Sequence, residues 1–108
     1  MTREIPESDW KTLRRLTPRL LDRFCQKVLD EAVRLGKGST QTSHERYLNL
    51  YRYLKKQDHL LGEAFDDHKR STAFFKLANI YSLGLVTEEE FAEFSEETRD
   101  VIPTIASR

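Results

Sequence analysis

One cysteine in 108 residues, Cys25, has no partner for an internal disulfide, which fits a reducing compartment. Four glycines and three prolines supply few of the turns that a multi-stranded sheet requires, and strand-like alternation of apolar and polar residues is absent. Apolar residues come only a few at a time, whereas a membrane-spanning helix needs about 20 in succession. The opening MTREIPESDW lacks the basic and then apolar segments of a signal peptide, so cytoplasmic residence is the expectation. Catalytic signatures are also missing. GKGST follows a helix rather than a strand and lacks phosphate-loop spacing, and no Gly-x-Ser-x-Gly occurs. The three histidines lie in segments other than that of Cys25, which falls in mid-helix at the edge of an apolar stripe, where a thiol packs rather than reacts. A non-enzyme without a cofactor is expected.

What is present points to helices. Hydrophobic residues make up 38% of the chain, enough for one domain over residues 1–108, with flexible tails expected at 1–7 and 103–108. The net charge is zero, but residues 1–56 carry 13 Lys and Arg against 7 Asp and Glu. Residues 57–108 carry 5 against 11. Halves of opposite charge that pack together explain such a split, as does a dipolar surface that steers a partner.

Ser8 and Asp9 are good N-cap residues ahead of Trp10, Leu13 and Leu16. Thr17-Pro18 reads either as a break that starts a second helix, since proline suits the first helical position, or as a kink in one long helix, since Leu16 to Leu20 keeps the apolar register; the break is preferred. From Pro18 to Leu35, Leu20, Leu21, Phe24, Cys25, Val28, Ala32 and Leu35 form one stripe, and Gly36 stops the helix. Thr42 to Glu45 is a capping box, opening a helix that reaches Gln57 or continues to Phe65. Another helix starts at Ser71 or Thr72, with Phe74, Leu77, Ala78 and Tyr81 on one face, and closes at Leu83-Gly84. Thr87 to Glu90 is a second capping box, followed by anchors Phe91 and Phe94 and a final turn that Pro103 ends. The expected fold is all-α: a small antiparallel bundle of three main helices with short helices at either end.

The stretch HERYLNLYRYLKKQDH combines three tyrosines with two arginines and two lysines. At helical spacing Tyr47, Leu50, Tyr51, Leu54, Leu61 and Phe65 share one face, opposite Arg52 and Lys56. A single-strand nucleic-acid reader interleaves aromatics and cations on the same face, so this segregation assigns Tyr47 and Tyr51 to the core and leaves Tyr53 outside it. Asp58 falls within the apolar stripe, and is read as the cap of a new helix rather than as a buried acid. Arg14, Arg15, Arg19, Arg23 and Lys27 line one side of the N-terminal helices, and form the surface that nucleic-acid binding would use. His59, Glu63 and Asp67 have the spacing for a divalent ion, but without a second set of ligands they read as a solvated helix end. Leu48, Tyr53, Leu60, Phe75 and Ile80 lie off the main stripes and are candidates for contact with a protein partner or a second copy.

LANIYSLGLVTEEEFAEF resembles the turn of the short helical hairpins of SHOCT type found at the ends of many bacterial proteins. That resemblance implies that Gly84 stops one helix, Leu85 packs under the turn and Thr87 caps the next. Together with RFCQKVLDE and HERYLNLYRYL it resembles small uncharacterised bacterial proteins, which implies a helical domain and no functional residues. The expected function is a small helical interaction or accessory protein, able to self-associate, with nucleic-acid binding as the alternative.

Overall fold

In a computed structural model, residues 4–38 and 40–107 are described. They form α1 (Glu7–Gly36), α2 (Ser43–Phe65), α3 (Ala73–Ser82), the single turn α4 (Glu88–Phe91) and α5 (Glu96–Ala106). A 3-10 turn, Arg70–Thr72, leads into α3. The fold is all-α, and no strand occurs among the described residues. Its extents of 51 × 28 × 22 Å describe a long molecule. The hairpin of α1 and α2 forms an arm, and α3, α4 and α5 pack as a base on one side of it.

α1 runs through Pro18 without a break, contrary to the sequence expectation. Pro18 removes the amide that would reach the Arg14 carbonyl, yet Leu13, Leu16, Leu20 and Phe24 stay in one buried register across it. Burial of that row holds the helix, and the Thr17 hydroxyl adds a bond of 2.7 Å to the Leu13 carbonyl. Asp9 is likewise not the cap of its own helix, which begins two residues earlier after Pro6. It is buried, and accepts from the Ser95 amide (2.8 Å), the Ser95 hydroxyl (2.6 Å) and the Thr98 hydroxyl (2.6 Å). A carboxylate on α1 thus completes the N-terminus of α5, 86 residues away.

The expected tails are structured where they are described. Ile5 is fully buried and its carbonyl accepts from Arg70 Nε at 3.2 Å. Pro103 lies inside α5 rather than ending it. Ile102 is fully buried and Ile105 and Ala106 pack on the core, so apolar contacts on both sides carry the helix past the missing amide. Residues 1–3 and 108 lie outside the described set.

The turn between α3 and α4 has the geometry its residues imply. Gly84 adopts φ 73°, a left-handed conformation that suits glycine, and its amide donates to the Tyr81 carbonyl at 3.0 Å. Leu85 is buried beneath it. The Thr87 hydroxyl accepts from the Glu90 amide while the Glu90 carboxylate accepts from the Thr87 amide. Phe91 lies between Tyr81 and Phe94 in tilted ring contacts, at 5.0 and 6.2 Å between ring centres, and closes the base.

Candidate functional site

Two surfaces meet along α1, one of charge and one of apolar side chains. On the charged side, the basic row of α1 turns towards the acidic turn of α4. Arg23 donates to both oxygens of Glu90, at 2.7 and 3.1 Å, and to the Leu85 carbonyl at 2.5 Å. Arg19 approaches Glu90 at 3.4 Å, Arg15 pairs with Glu93, and Lys27 donates to the Gly84 carbonyl at 3.4 Å. The guanidinium of Arg23, reinforced by the capping-box amide, holds the Glu90 carboxyl down to about 2, and Arg23 is raised in return. Of the five predicted basic residues only Arg14 points elsewhere, 5.9 Å above the Trp10 ring. The two oppositely charged halves of the chain meet here, and the cations face carboxylates and carbonyls.

His59, Glu63 and Asp67 do not converge. His59 Nε2 lies 3.0 Å from Glu63 on the exposed surface of α2, while Asp67 sits beyond the helix end, 3.6 Å from Lys69. Among the described residues no group of three His, Cys, Asp or Glu is placed to hold a metal ion.

The apolar surface comes from the register of α2. Along α2, Leu50, Tyr53, Gln57, Leu60, Leu61 and Phe65 are half-buried and Ala64 is buried, and Phe65 meets Phe24 of α1 edge-on at 6.2 Å between ring centres. Tyr53 is covered enough that burial, with nearby Glu31, raises its hydroxyl above the ordinary phenol range. Tyr47, Tyr51 and Leu54, assigned to the core by periodicity, are instead 63%, 55% and 40% exposed. Across from them on α1, Leu29 and Val33 are 59% and 56% exposed. An open groove of about 390 Å³ runs between the helices, lined by Phe24, Cys25, Val28, Leu29, Leu54 and Leu61 with Gln57 and Asp58. Asp58 is no cap: α2 continues through it, and its side chain is exposed beside the groove.

The five candidate contact residues separate. Ile80 is fully buried in the base, Leu60 packs against the core, and Tyr53 and Leu48 are half-buried. Phe75 alone is open, at 61% exposure, beside a shallow hollow where α3 meets the end of α5. The stripe identified as core is therefore divided: Tyr47, Tyr51 and Leu54 are exposed, whereas Leu50 is half-buried and Leu61 and Phe65 pack against the core; most residues set aside as exposed are covered.

The chain matches no protein-family model, no curated protein and no solved structure. Its function must therefore be read from its own surface. Among the described residues no helix is long and apolar enough to cross a membrane, so the exposed apolar face is not part of a spanning segment.

The rims of this face differ in charge. At helical spacing, Asp30 borders Leu29 and Val33 on α1, and Lys55 borders Tyr51 and Leu54 on α2, both exposed. The signal that would have located the face was the surplus of apolar residues on the distal half of α1. Leu29 and Val33 lie outside its stripe, and nothing in the base is long enough to reach them.

Proposed function

We propose that this is a cytoplasmic, non-catalytic interaction protein that works by docking the apolar face of its α1–α2 arm onto another protein surface. The observation that carries the reading is the coherent exposure of Leu29, Val33, Tyr47, Tyr51 and Leu54 on one side of two packed helices. Single exposed apolar residues are ordinary, but a row of them rimmed by charge marks a contact site. Two exposed tyrosines strengthen it, because tyrosine brings a large, rigid and amphipathic contact area to interfaces. The free thiol of Cys25 in the groove fits a reducing compartment.

The basic row supports a structural role rather than a nucleic-acid surface, since Arg15, Arg19 and Arg23 are already engaged by Glu90 and Glu93.

A photo-reactive amino acid placed at Tyr51, in cells of the source organism, tests the reading. Irradiation should give a covalent protein adduct from position 51, and none from Glu88 on the acidic turn. Equal adducts from both positions, or none from Tyr51, would overturn it.

A further inference from the structure

We infer that the partner of this face is a second copy of the same chain. The two arms would close into a four-helix bundle in which α1 of each protomer lies against α2 of the other. This rests on the docking role proposed above and names its occupant. Width decides first. A single foreign helix, about 10 Å across, would fill the groove but leave Val33 and Tyr51 uncovered on its two flanks. Covering both flanks takes a surface two helices wide, and the arm itself is such a surface. About 20 paired residues at 1.5 Å rise, on two helices about 10 Å apart, give a face of roughly 600 Å². That is the scale of the about 800 Å² per partner found in stable protein pairs.

Charge then selects the orientation. The outer edge of the face carries Asp30 on α1 and Lys55 on α2. A two-fold axis along the arm exchanges left and right, so each acidic rim meets the partner's basic rim. An axis across the arm would set α1 against α1, acid upon acid. The face is therefore complementary to itself in one arrangement and repulsive in the other.

The base leaves room for this. Leu20, buried towards the base, and Leu29, exposed on the open face, are nine residues apart. Nine residues make two and a half helical turns, so the two lie on opposite sides of α1. A second copy on the open face meets no part of α3, α4 or α5.

Sedimentation of the full chain over a range of concentrations is the test. The wild type should move from 12.7 kDa towards twice that mass as concentration rises. Tyr51→Lys and Val33→Lys should each weaken the dimer about tenfold or more, with the helical circular dichroism unchanged, because one buried unpaired charge is enough for that. Asp30→Lys and Lys55→Asp should each weaken it about three- to tenfold, and the chain carrying both should regain the wild-type affinity. A wild type that stays at the monomer mass to about 1 mM, an affinity no stable pair has, overturns the second copy. In that case an adduct at Tyr51 to a different protein in the cross-linking experiment would still uphold the docking role. A dimer indifferent to Tyr51→Lys uses another surface and overturns the inference. A doubly reversed chain weaker than either single variant overturns the pairing of α1 with α2.

Discussion

Among the described residues Asp9 and Glu90 are the two buried carboxylates, and each joins α1 to the start of a distant helix. Asp9 has three donors and, among the described residues, no cationic partner at hydrogen-bond distance, so Asp9→Ala leaves the Ser95 amide and the Thr98 hydroxyl without this acceptor. A loss of about 2–3 kcal/mol is expected, read as a lower urea midpoint at unchanged slope. Glu90 adds a dependence on pH. Its carboxyl titrates near 2 in the folded protein against 4.5 as a free side chain, so its contribution is fully present above about 4.5 and is lost as pH falls towards 2. Urea titrations at pH 7 and pH 3 should therefore differ by more in the wild type than in Glu90→Gln. The part of the difference due to this residue is on the order of 2 kcal/mol.

At the scale of the helix, legibility follows how many neighbours an element has. α3 is covered by other elements on several sides, and its stripe of Phe74, Leu77 and Ala78 is buried as its spacing implies. α2 has one long neighbour, α1, so its apolar residues exceed what one seam can cover. Periodicity located the stripe of Tyr47, Tyr51 and Leu54 correctly but carries no information on whether anything lies over it. The covered side, through Tyr53 and Leu60, is rotated from that stripe by about 140°. The break at Pro18, the cap at Asp9 and the end at Pro103 were misread for a related reason. Each is a local preference that distant contacts override, through Leu20, Ser95 and Ile105 respectively. The Thr87–Glu90 capping box, the Thr42 cap and the Gly84 turn need only adjacent residues, and these were legible, although at Thr42 only the bond from the Glu45 amide forms and the reciprocal carboxylate bond does not.

Two measurements separate seam from open face. Tyr53→Ala removes a half-buried ring and should cost about 1–2 kcal/mol in urea unfolding, whereas Tyr51→Ala, measured on dilute monomer, should stay within about 0.5 kcal/mol. Pro18→Ala restores a donor to the Arg14 carbonyl on an exposed surface of α1. It should stabilise the chain by about 1–3 kcal/mol, since alanine suits a helix interior where proline does not.

For the whole molecule, the shape divides stability unevenly. The base is knitted by the Asp9 and Glu90 joints and by the packing of α3 on α5, while the tip of the arm is held by little more than the α1–α2 seam. Arg46 closes the tip by donating to the Gly36 carbonyl at 3.0 Å and to the Ser43 hydroxyl at 2.9 Å, both near solvent. Amides in residues 30–50 should consequently exchange with solvent faster than those of α3, through local opening that leaves the base intact. If the arm is the docking face, its protection is linked to association, because a partner that binds only the closed hairpin adds its binding free energy to the closed state. Slower exchange at Tyr47 and Tyr51 with rising protein concentration, at constant exchange in α3, is the expected signature. Asp58 sharpens the same experiment. It is the one carboxylate lining the groove, and a second chain closing over the groove would strip it of water. Asp58→Leu should therefore tighten association by about tenfold and slow exchange in the arm at a concentration where the wild type is still open. If Asp58→Leu raises the stability of the dilute monomer but leaves exchange independent of concentration, the groove is closed within one chain, and nothing docks there.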